Sequence, residues 1–357
     1  MILKCILALK SPVGSLLLLI SSCFLFSFLF TSFTAEPNSQ LTASVKQQFM
    51  QDLNHLQHQA KDFTHQVNAL QQKGSLNQAQ EAFHRVKRAY KQVEYLVEYL
   101  DPEVAKSLNG APLPKVLVEE ANYQTLAFQK PSFRTFPPHG LQVLEELLFS
   151  EDSISEEQVK EAIVLAYDLE VKINLFQNSL AHQSLTPKQL LDSQREELLR
   201  VMTMGITGFD APGAGQELPN CAVALKPVLA IAEQQAEIYN EENTSYAANA
   251  AHKLKQAITY LQQHPNFDTF DRLYFIREML DPAYAALTAL QQQVLQTGSS
   301  VAKPVNDKAM SLFSANFLQT AYYAKQDRQQ TKPELIELGK TLFFDPLLSA
   351  NNKRSCA

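Results

Sequence analysis

From Val45 to Leu70 apolar residues recur at Val45, Phe49, Leu53, Leu56, Ala60, Phe63, Val67 and Leu70, in unbroken steps of four and three. A 3.6-residue period puts all of them on one face, which predicts a single amphipathic helix of about seven turns. Such a face has to be buried against other elements. Gly74 ends the segment and Ser75 can cap the next. Ala79, Phe83, Val86, Tyr90, Val93, Val97 and Leu100 then repeat the period up to Asp101-Pro102. Further helical stretches are read over 138–149, 155–182, 186–204, 218–240, 245–264 and 270–295, the last with a break at Asp281-Pro282. Glycine supports this reading. Its 10 occurrences in 357 residues are about 3%, well under the usual ~7%, too few for a turn-dense β-sandwich, barrel or propeller. No alternating run suggests a sheet. The expectation is an all-α, multi-helix up-and-down bundle, as two packed bundles.

The ends differ from the middle. Lys4 and Lys10 precede an apolar, uncharged run from Ser15 to Phe33. At about 20 residues it reads as a secretory signal or a membrane anchor. Residues 1–40 are therefore assigned to export, and the protein to the periplasm or cell envelope. Ile20-Ser21-Ser22-Cys23 resembles a lipoprotein box, although Phe24-Leu25-Phe26 continues the run. The helical domain is drawn at 41–297. Residues 298–330, opening on Gly298-Ser299-Ser300, are drawn as a linker and irregular segment, and 331–357 as the start of another domain. The net charge of −6 gives no general attraction to nucleic acid, so none is expected as a partner. Four cysteines are too few for a disulfide scaffold.

Several clusters bear on function. His55, His58, Asp62 and His65 share one helix face, but the apolar stripe turns that face outward, which favours a solvated surface over a metal site. His84 to Lys91 is basic and is followed by Glu94 and Glu98. It reads as a charged helix face with intrahelical pairs. His139, Gln142 and Glu145 are spaced by three after Pro137-Pro138. They form either a polar site between helices or an N-terminal cap. Gly140 in that first turn costs about 1 kcal/mol against Ala unless something requires it. Gly208 to Gly215 reads as a shaped connection that could rim a pocket, and Cys221 as a small buried hydrophobe.

Residues of roughly 80 to 295 resemble the imelysin-like helical domains of bacterial envelopes. The resemblance rests on Phe83–Lys91, His139–Glu145 and Gly208-Phe209-Asp210-Ala211-Pro212. Imelysins typically show Gly, then His two residues on, then Glu three later. Gly140 and Glu145 match, while Gln142 stands in the place of that His. Gln is a poor ligand for transition metals.

A second resemblance covers the last residues. Glu334 to Ser349, with Leu342-Phe343-Phe344-Asp345-Pro346 and then Ser355-Cys356-Ala357, resembles the opening of bacterial di-haem cytochrome c peroxidases. There the same turn precedes the first Cys-x-x-Cys-His haem site, whose first cysteine Cys356 would match. This resemblance implies an oxidoreductase with two haem c groups, calcium, hydrogen peroxide as substrate and a small electron-donor redox protein as partner. The residues given would lack the complete haem sites and be inactive alone. The alternative expectation is a non-enzymatic imelysin-like envelope binding protein for iron, haem or a peptide.

Overall fold

The first apolar stripe becomes α1, Pro37–Ala69, a helix whose buried residues include Val45, Phe49, Leu53, Leu56, Ala60, Phe63 and Val67. In the computed structural model, residues 37–119, 132–150, 153–211, 213–239, 241–295, 304–323, 332–349 and 351–357 are described. The apolar run of residues 15–33 lies outside them. Among the described residues, no helix is long and apolar enough to cross a membrane.

A left-handed Lys73 (φ 62°) closes α1 before α2, Leu76–Leu100. Asp101 then caps α3, Pro102–Asn109, by accepting from the Val104 N–H at 3.0 Å. A hairpin of β1, Lys115–Glu119, and β2, Ser132–Phe136, pairs antiparallel with Lys115 opposite Phe136. The all-helical reading missed it, because Val116 to Val118 is too short a run to show a period. α4, Leu141–Phe149, leads to α5, Glu156–Leu180, and α6, Pro187–Arg200. Capping boxes start the last two, Ser155 with Gln158 and Thr186 with Gln189.

α6 runs on into a π-helical turn, Val201–Gly205, and the chain continues through α7, Glu217–Ile238, and α8, Glu241–Gln263. A second π-helical turn, Phe275–Leu280, precedes α9, Asp281–Leu295. The break read at Asp281-Pro282 is this change of winding rather than an interruption, since Pro282 sits in the first turn of α9, where its missing N–H is not needed.

The helices enclose two apolar cores. One is centred on α1, α2 and α5 and holds Phe49, Phe63, Phe83 and Ile173. The other lies between α7, α8 and α9 and holds Leu225, Leu254, Phe275 and Tyr284. α6 contributes Leu190 and Leu191 to the first and Leu198 to the second. The described residues thus form an all-α, two-core bundle with one hairpin. Residues 304–319, drawn as linker, pack on the second core instead. Ala309 and Phe317 are buried there, and Asp281 accepts from the Leu312 N–H at 2.6 Å and the Ser311 hydroxyl at 2.9 Å. Mixed aromatics without a period gave no sign of this docking. The last helix, α10, Pro333–Phe344, has no buried residue.

Candidate functional site

The two cores meet at a buried ion cluster. Lys87 and Lys91 lie on the arc of α2 beside its apolar stripe, and both are buried. Lys91 Nζ donates to Glu94 Oε1 at 2.9 Å and Oε2 at 2.8 Å, and also to the Asp210 carboxylate. Lys87 Nζ donates to Asn109 Oδ1 at 2.7 Å and to the Asp210 carbonyl at 2.5 Å. Beyond them Arg200 pairs with the fully buried Glu197 at 2.7 Å and with Glu98 at 3.4 Å. The expected Lys91–Glu94 pair is present, but the face is not solvated. The signal to be had was position: Lys87, Lys91 and Glu94 each directly follow a residue of the apolar stripe, Val86, Tyr90 and Val93, and so flank the buried face.

The Gly208-to-Gly215 connection delivers Asp210 into this cluster. It also turns the Gly213 and Ala214 N–H groups onto Glu145 Oε1, at 3.1 and 2.9 Å. Glu145 Oε2 faces Lys87 Nζ at 3.6 Å. Gln142 Nε2 donates to the Asn109 carbonyl at 2.9 Å, tying α4 to the end of α3. Gln142 and Glu145 are both fully buried, and Gln142 Oε1 and Glu145 Oε2 have no hydrogen-bond partner. The metal role suggested by the Gly-x-His-x-x-Glu pattern does not fit these residues. Lys87 already stands where a cation would balance Glu145, and Gln142 brings a neutral amide in place of an imidazole. Among the described residues, no three His, Cys, Asp or Glu side chains gather as a metal site.

Burial pushes the Lys87 ammonium below its usual range, against the pull of Asp210 and Glu145. Burial raises the Glu197 carboxyl. Burial would also raise Asp210, but Lys91 and Lys87 outweigh it and hold that carboxylate below its usual range. A lowered carboxylate stabilises fully above its ordinary value and loses that contribution as pH falls through the lowered one. Asp210→Asn is therefore expected to flatten the fall in Tm below about pH 4. Thermal melts across an acid series check this. Glu197 works in the opposite sense, its contribution fading as pH rises through its raised value.

His139 is separated from Gln142 and Glu145. It is half-buried and lines an open pocket of about 550 Å³ between α3, α5 and the hairpin. Leu113, Phe136, Pro137 and Pro138 give the pocket apolar walls, and Lys106, Lys115 and Lys172 stand around it with Glu103. Glu103 is shared by Lys106 at 2.9 Å and Lys115 at 3.8 Å. The histidines of α1 do lie on a solvated face. His55, His58 and His65 are exposed, and Asp62 pairs with Arg85 at 2.6 Å. Cys221 is buried against Gly205 and Cys356 is an exposed free thiol.

No curated protein matches the chain. A family model does: Imelysin, over residues 47–326. That match corrects the expected activity. The family found is not that of cytochrome c peroxidases, and nothing found supports an oxidoreductase, a cytochrome c or haem binding. The Leu342-to-Cys356 likeness was too short to carry those conclusions. The match extends past residue 297 and takes in the packed 304–319 segment. With most of its length inside that match, the chain belongs to the imelysin family.

Proposed function

We propose that the protein is a non-enzymatic binding protein of the cell envelope, and that the pocket beside His139 captures an acidic peptide segment. The observation that carries this reading is the pocket's composition. Apolar walls are ringed by Lys106 and Lys115, which share the single Glu103, and by Lys172, paired with Asp168, so lysines outnumber carboxylates here on a chain whose net charge is −6. Local positive charge on an acidic protein selects anionic partners and repels its own kind. The proline and aromatic walls suit the side chains of an extended peptide. The adjacent β2 offers backbone groups for strand-wise pairing.

The buried cluster supports binding indirectly. Gln142 and Glu145 hold α4 against α3 and the 208–215 connection, and so fix the floor on which His139 sits. Glu145→Ala would unpair Lys87, so it reads stability rather than ligand capture.

The test uses the full chain and a fluorescein-labelled acidic peptide followed by anisotropy. Binding is expected to weaken with added salt. Lys106→Glu with Lys115→Glu is expected to lower affinity by about tenfold, as removing about 1.4 kcal/mol would. Equal binding of a basic peptide, or no change in the double variant, would sink the reading. Titration with ferric citrate tests the iron alternative, which the same two substitutions would leave untouched.

A further inference from the structure

α5 is apolar on two opposite faces. Its inner face, with Val159, Ala162, Ala166, Leu169, Ile173, Phe176 and Leu180, is buried against α1, α3 and α4. On the outer face Val164, Tyr167, Val171 and Leu175 are 68%, 52%, 57% and 63% exposed. Their steps of three, four and four form one straight stripe. At about 100° per residue that stripe lies diametrically opposite the buried face, where a surface helix is normally polar. Four large apolar side chains in a row make one contiguous exposed stripe, unlike the singly scattered surface apolar residues that need no explanation.

The stripe is flanked on one side by Asp168 and Lys172, paired with each other at 2.5 Å. Read from either end, the pattern is nearly the same. Suppose two copies lie antiparallel about a two-fold axis near Glu170. Val164 of one copy then meets Leu175 of the other, and Tyr167 meets Val171. In antiparallel pairs like flanks face each other, so Asp168 of one copy comes opposite Lys172 of the other, twice. A parallel two-fold pairing would instead bring unlike flanks together and set Asp168 and Lys172 across from the other flank, where Asn174 stands and no opposite charge meets them. The charges therefore select one orientation, and the 3–4 spacing is that of helices packing at about 20°.

We propose that α5 is the contact helix of an isologous homodimer, with two copies packed antiparallel through this stripe. An isologous contact uses the same patch on both subunits, which is what a self-complementary stripe provides. The patch is small against the roughly 1,200 Å² of a stable interface, so the dimer forms at high protein concentration. The proposal does not rest on the His139 pocket.

The experiment is disulfide trapping in the full chain, held in mild detergent and carrying Cys5→Ser, Cys23→Ser and Cys356→Ser, which leaves only the buried Cys221. Val164→Cys together with Leu175→Cys is expected to give a covalent dimer on oxidation, while either substitution alone gives none. Sedimentation of Val171→Asp is expected to show a monomer with an unchanged thermal midpoint, because that side chain is exposed. Cross-linking by either single variant would mean another orientation and overturn the proposal. So would no cross-link in the double variant, or a chain that stays monomeric at its highest soluble concentration. Vesicle binding without a cross-link would assign the stripe to a lipid surface and overturn it equally.

Discussion

Lys91→Met is expected to destabilise the fold by about 3–5 kcal/mol, the usual cost of breaking a buried ion pair by removing one partner. The side chain is only 4% exposed and holds both oxygens of Glu94 and the Asp210 carboxylate. Methionine fills much of the space but leaves Glu94 without its ion-pair partner and Asp210 with only the more distant charge of Lys87. Urea unfolding followed by circular dichroism measures the loss. Adding Glu94→Gln and Asp210→Asn to Lys91→Met should recover part of it, because the orphaned charges then disappear. The control is Arg85→Met. Arg85 and Asp62 are each 43% exposed, so that pair contributes less than about 1 kcal/mol. Equal losses for Lys91→Met and Arg85→Met would show that water reaches the cluster.

Gly140→Ala is the second large effect, expected at about 3 kcal/mol or more, for two reasons that add. Gly140 holds φ 98° and ψ −169° at the N-cap of α4, a region essentially reserved for glycine and worth about 1–3 kcal/mol of strain for other residues. A Cβ there would also stand 2.7 Å from the Leu108 carbonyl oxygen and 2.8 Å from its carbon. That contact is with backbone and has no rotamer to escape into. Gly213→Ala is the matched control. Its nearest atom would be Phe149 Cβ at 3.6 Å, an ordinary contact, and its amide would still reach Glu145. The thermal midpoint of Gly140→Ala should fall steeply, and that of Gly213→Ala should barely move.

Much of the architecture was legible because helices advertise themselves through period and punctuation. The α1 and α2 stripes, the turn at Gly74 and helix starts at 155 and 186 all read directly from the order of residues. Features that depend on distant partners did not. Lys87 and Lys91 look like solvent-facing charges until α3 and the 208–215 connection close over them. The cost of Gly140 was visible, but its cause, the Leu108 backbone, lies thirty-two residues earlier in the chain. His139, Gln142 and Glu145 share one spacing yet serve two places. The chain enters α4 through Gly140, which leaves His139 outside the helix. The 304–319 segment docks through isolated contacts, Phe317 in a core and Leu312 on Asp281, that leave no repeat to detect.

The buried charges between the two cores also bear on how the chain comes apart. α2 carries Lys87 and Lys91, while Asp210 and Arg200 arrive from the far side, and α6 threads both cores. Neither half can loosen without stranding ions that belong to the other. The halves are therefore expected to melt in one transition, and a lesion in either to lower the midpoint of both.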